Sequence, residues 1–286
     1  MINVKILILL ILFSNSPILA QGSKKEFKMG NVGQYGLVTF SRPFKKDSIK
    51  VTTFIEIPFS TLQFIKRNSD FVASYSASVI LKDIKEKQLL KKVWSDSIVV
   101  DNYIHTQSKL RTRKHYINFN LSKGKYEINS ELYDNDTRKK GSKKKVLNFV
   151  KQKKIPSLME PIIITSLKGE WGFGSNEFPI LGRKITNIDN GLNVIASGFV
   201  SDSSYTIETI ILLGDEKIEL PKIESQTENG FFAHTVKIEK EYLKSFNTKI
   251  IFELKQTKVT KKIEKNITIF KPGISGYIKN IENSFR

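Results

Sequence analysis

The side chains that most often carry chemistry are sparse in this chain. There are three histidines, His105, His115 and His234, and no cysteine among 286 residues. The absence of cysteine excludes disulfides, thiolate metal sites, iron–sulfur clusters, a thiol nucleophile and a lipidated amino-terminal cysteine. No two histidines stand four apart, so the helical pair that a zinc hydrolase needs is missing. A metal site built from His105 and His115 across a hairpin would still have to recruit a carboxylate, Asp101 being the nearest. His234 shares an alternating face with Phe232, Val236 and Ile238, which reads as a sheet-face histidine. No Gly-x-Ser-x-Gly elbow is present to raise a nucleophilic serine above a sheet. Gly172-Phe-Gly174 lacks the third glycine of a dinucleotide loop. Asp134-Asn-Asp136 begins like a calcium loop but lacks its glycine and distal glutamate, so Asx-turn chemistry accounts for it better. These residues call for no catalytic set, no metal and no cofactor.

Charge is the stronger signal. The formal net charge is +19. Arg138, Lys139, Lys140, Lys143, Lys144 and Lys145 place six cations in eight residues, and Lys109, Arg111, Arg113 and Lys114 form a second cluster. Both precede predicted strands, which expects basic hairpin tips. Such tips could meet lipid head groups, lipopolysaccharide phosphates or acidic glycans, each exposed cation adding about 1 kcal/mol at most. The competing reading is a solvated loop whose charges discourage edge-to-edge pairing. Lysine supplies 40 of the 47 basic residues. Arginine is the better bidentate phosphate ligand, so nucleic acid is disfavoured as a partner, and compositional bias explains much of the lysine.

The elements that would hold these groups are strands. From Phe71 to Leu81 the apolar or small residues Phe71, Ala73, Tyr75, Ala77, Val79 and Leu81 recur every second position, the period of a half-buried strand. Comparable short runs, separated by turn residues, recur along the chain. The expected fold class is all-β: two tandem immunoglobulin-like or fibronectin-like β-sandwiches after a cleavable signal peptide. Residues 1–20 have a charged start at Lys5, an apolar run from Ile6 to Phe13 and a small residue, Ala20, at the expected cut. That run is shorter than the roughly 20 apolar residues needed to span a bilayer. Residues 21–46 read as a flexible leader with an edge strand at Leu37 to Phe40, ended by Pro43. Residues 47–154 read as the first sandwich, 155–272 as the second, and 273–286 as a short carboxy-terminal helix or tail. In the first, Gly124 followed by Tyr126 and a strand is the pattern of a tyrosine corner.

Three segments carry a family resemblance. They are Thr53-Phe-Ile-Glu-Ile-Pro-Phe59, Leu62-Gln-Phe64 and Phe71-Val-Ala-Ser-Tyr75, supported by Gly124-Lys-Tyr-Glu-Ile128 with Tyr133-Asp134. Together they resemble the amino-terminal region of GWxTD-domain proteins, exported bacterial proteins of unknown activity. The eponymous motif is absent, since Trp171 follows Glu170 and precedes Gly172. The resemblance implies a periplasmic, outer-membrane-associated or extracellular scaffold and brings no functional residues. The resulting expectation is a non-enzymatic module that binds another envelope protein or a surface polymer. The alternatives are the binding half of a longer protein whose activity lies beyond Arg286, or a binder of anionic membranes or polysaccharides through the basic loops. Nothing in the residues specifies an oligomeric state.

Overall fold

The computed structural model describes residues 32–122, 124–149, 155–166, 177–181, 184–185, 188, 191–243 and 247–269. The expected signal peptide, the basic linker from Lys151 to Lys154, the loop from Glu170 to Asn176 and the carboxy-terminal helix lie outside the described residues.

The amino-terminal half is a sandwich of two sheets. Its strands are β1 (Gly36–Lys45), β2 (Ser48–Pro58), β3 (Ile65–Arg67), β4 (Asp70–Asp83), β5 (Gln88–Val100), β6 (Thr112–Ser122), β7 (Lys125–Asp134) and β8 (Lys140–Asn148), with a one-turn helix α1 (Tyr103–Thr106) between β5 and β6. One sheet runs β1-β2-β6. The other runs β3-β4-β7-β8, with β5 along the far side of β4. The period of two noted from Phe71 to Leu81 is β4, and its alternate residues Ala73, Tyr75, Ala77, Val79 and Leu81 are all buried. They meet Val51, Ile55 and Ile57 of β2 and Phe119 and Leu121 of β6 across the sandwich. Burying one such aliphatic side chain contributes about 1.5–3 kcal/mol.

Several expectations need correction here. The edge strand expected at Leu37 to Phe40 is longer and is not ended by Pro43: β1 pairs along β2 from Gly36↔Glu56 to Lys45↔Ser48, passing through Pro43 with a register shift after it. Proline is tolerated because β1 is an edge strand, so its missing N–H interrupts no ladder. A 3-10 turn, Phe59–Thr61, follows β2, and β3 begins at Ile65. The stretch after Tyr103 is helical, with Asn102 capping: its side chain accepts from the Ile104 amide at 2.9 Å. The tyrosine corner is present, because the Tyr126 hydroxyl donates to the Ser122 carbonyl at 3.2 Å. Gly124 leaves room for that ring, since a Cβ there would sit 3.1 Å from it.

The carboxy-terminal half repeats the architecture. It contains β9 (Ser157–Leu158), β10 (Ile162–Ser166), β11 (Glu177–Pro179), β12 (Lys184–Ile185), β13 (Leu192–Phe199), β14 (Ser204–Leu213), β15 (Glu216–Glu219), β16 (Ile223–Gln226), β17 (Phe231–Ile238), β18 (Asn247–Gln256) and β19 (Val259–Ile269). One sheet runs β11-β10-β13-β17 with β9 on β13; the other runs β12-β19-β18-β14-β15 with β16 on β14. β12 joins β19 in parallel. Ile207, Ile211, Ile250, Phe252 and Leu254 of one sheet pack on Val194, Phe232 and Ile238 of the other. The two halves also touch. Phe40 of β1 packs on Ile162, Ile164 and Ile195.

Candidate functional site

The basic run from Arg138 to Lys145 does not form one tip. Only Arg138 and Lys139 lie in the turn; β8 starts at Lys140. A strand sends successive side chains to opposite faces, so the cations divide. Lys140 and Lys144 take the outer face and pair with Glu131, at 2.7 Å, and with Glu127. Lys143 turns inward, its ammonium 5.3 Å from the centre of the buried Tyr35 ring. Lys145 also turns inward, half-buried, and desolvation holds its ammonium below the usual lysine range against the attraction of Glu160. The second cluster divides in the same way along β6. Arg113 reaches Asp96 at 3.4 Å and Lys114 reaches Glu56 at 3.5 Å. Arg111 contacts His105 at 3.1 Å, and Lys109 is exposed in the same loop. In place of two cationic tips the charges are dispersed, and Lys140, Lys144, Arg113 and Lys114 are paired with carboxylates.

The densest group of chemically capable side chains lies between the sheets, where β5 approaches β6. The Tyr75 hydroxyl donates to Asp96 Oδ2 at 3.1 Å and lies 2.8 Å from His115 Nε2. With that proton committed to Asp96, Nε2 of His115 must be the donor. Trp94 stacks on the His115 ring at 5.2 Å between centroids. Burial pushes the Tyr75 hydroxyl well above the ordinary phenol range, with Asp96 adding to it. Burial pushes His115 down, opposed by Asp96. A neutral tyrosine, a neutral imidazole and a carboxylate tied to Arg113 hold two sheets together; no nucleophile stands beside them. The other half carries a counterpart: the Tyr205 hydroxyl lies 2.8 Å from His234 Nε2, again across two sheets, and burial lowers His234. His105 contacts Asp101 at 3.3 Å and sits apart from both.

The surface that stands out is β5. It is 13 residues long and pairs only with β4 among the described residues. Leu89, Leu90, Val93 and Val99 on this strand are exposed, Val99 at 58% of its full area. Beyond its end, Ile104 is 74% and Leu110 94% exposed. The free edge has a defined phase. The Ser97 amide is taken by Asp96 Oδ1 at 2.7 Å and its carbonyl accepts from Arg113 at 3.4 Å, so both point away from β4. Residues of the same phase, Lys91, Val93 and Ser95, turn their backbone groups to the same open side. The sequence alone did not single out the edge of this strand for docking, because apolar and charged residues are mixed on both phases of Gln88 to Val100.

The sequence matches no protein-family profile and no curated protein. Solved structures similar in part include a candidate β-galactosidase from Bacteroides fragilis, with TM-score 0.27 and 12% identity over 40% of this chain and 16% of that one. Another is a red sea bream transglutaminase, with TM-score 0.25 and 7% identity over 83% of this chain and 31% of that one. The chain thus spans less than a third of either.

Proposed function

We propose that this chain is an exported, non-enzymatic binding module of a bacterial envelope, and that β5 docks an extended, apolar and acidic segment of another envelope protein. The carrying observation is the open 13-residue edge of β5 with Leu89, Leu90, Val93 and Val99 exposed along it. Exposed apolar side chains beside unpaired backbone groups suit strand addition, in which the ladder supplies affinity and the side chains supply selectivity. Lys91 and Lys92 lie mid-strand and favour an acidic partner. The signal-peptide layout of residues 1–20 and the resemblance to GWxTD-domain proteins support export. Binding to anionic polymer is the weaker reading, since strand alternation disperses the cations and pairs Lys140, Lys144, Arg113 and Lys114 with carboxylates.

The test is Ser95→Pro. It removes one outward N–H and no bond of the β4 ladder, and edge strands accept proline, so the fold should persist. With the mature chain as bait in envelope extract, a captured partner should protect the Lys91 and Val93 amides from hydrogen exchange and should be lost with the variant. Capture that survives Ser95→Pro, or that leaves those amides unprotected, counts against docking at this edge.

A further inference from the structure

A cleft lies where the two sandwiches meet, and its composition differs from that of the rest of the surface. Two adjoining cavities of about 190 and 140 Å3 share Thr39, Phe40, Lys145, Glu160 and Pro161 as walls. Val38 and Phe40 come from β1 and Lys145 from β8, all in the amino-terminal sandwich. Ile163 and Lys265 come from β10 and β19 of the other sandwich. Two cations therefore converge from separate sandwiches on a single carboxylate. Lys265 forms an ion pair with Glu160. Glu160 attracts the Lys145 ammonium from across the cleft. Glu160 itself leans into solvent, its side chain 77% exposed. The charge balance of the cleft is two ammonium groups against one carboxylate, and its walls mix the polar Thr39 and Asn266 with the apolar Val38, Phe40 and Ile180.

We propose that this cleft binds a small amphipathic anion, an aromatic or short aliphatic body carrying one carboxylate. The body lies against Val38 and Phe40, and the carboxylate takes a place beside Lys145. Junctions between packed units are common places for such sites, which combine apolar walls with a few convergent polar groups. The partly desolvated state of Lys145 fits this assignment, because an incoming anion restores the partner that burial has withheld. The proposal is independent of docking at β5, which lies on the far side of β4 from β8.

The experiment uses 4-phenylbutyrate as probe, with 4-phenylbutan-1-ol as its neutral twin and acetate as the bare acid. Binding to the full mature chain is followed by amide chemical shifts. The expected result is saturable shifts at Thr39, Phe40 and Ile163 with 4-phenylbutyrate. The alcohol and acetate should bind about tenfold more weakly or worse, as expected for loss of a charge-assisted contact or of the apolar contact. Lys145→Gln and Lys265→Gln should each weaken the probe several-fold. Glu160→Gln removes the competing carboxylate at an exposed position and should tighten it up to about fivefold. Glu160→Gln also keeps the test decisive if Lys145→Gln impairs folding. Equal binding of the alcohol, unchanged affinity in the lysine variants, weaker binding by Glu160→Gln, or no saturable shift in the cleft would each overturn the assignment.

Discussion

At the scale of single residues, both halves use the same device: a tyrosine from one sheet meets a histidine from the other, Tyr75 with His115 and Tyr205 with His234. Burial lowers both histidines from the ordinary value of 6.5. The sign of the pH effect follows. The unfolded chain takes up protons first as pH falls through 6.5, so the stability tied to neutral imidazole is complete above that value and drains away below it. Thermal unfolding should therefore shift to lower temperature between pH 7 and pH 5, and the slope should flatten in His115→Gln/His234→Gln. A slope unchanged by the double substitution would place the acid sensitivity elsewhere. Tyr75→Phe strips a shared hydroxyl from His115 and Asp96. It should cost about 1–3 kcal/mol at pH 7, measured by denaturant unfolding.

At the scale of elements, β8 shows how a strand disperses what the linear order concentrates. It also explains a glycine inside a lysine run. Gly141 pairs with Leu132, and a Cβ on it would sit under 3 Å from the Val32 backbone. That close approach seats the 3-10 turn Val32–Gln34 against β8 and carries Tyr35 inward, where its hydroxyl donates to the Ser130 carbonyl at 2.8 Å. Gly141→Ala should push this turn away and cost about 1–3 kcal/mol, with loss of the Tyr35 contact visible in aromatic shifts. A variant as stable as the parent, with Tyr35 unmoved, would show that the turn yields freely.

At the scale of the whole molecule, the seam between the sandwiches rests on few side chains. Phe40 leaves β1 to pack on Ile162, Ile164 and Ile195, and Met159 and Phe199 from the second half join the apolar cluster of the first. Phe40→Ala should remove about 2 kcal/mol from this seam, less than full burial would give because Phe40 is only partly enclosed. Calorimetry should then resolve two transitions where the parent gives a more concerted one. A single unshifted transition would show that the halves are coupled by other contacts.

What the sequence determined by itself was local. The alternation from Phe71 to Leu81 dictated β4 and its buried face, and Gly124 with Tyr126 announced the corner, because side-chain period and turn chemistry depend on neighbours a few residues away. The all-β class followed from such signals. What only the tertiary structure decided concerns partners distant along the chain. The six cations near Lys140 look like one patch in order, but Arg138 and Lys139 lie in the turn and the other four fall on two faces once β8 is paired. The edge strand expected at Leu37 to Phe40 extends over Gly36 to Lys45 because β2 is there to pair with it. Lys145 and Lys265 share a cleft although 120 positions separate them. The β5 edge is open because β4 is its only partner among the described residues, a matter of sheet order, which short-range pattern does not encode.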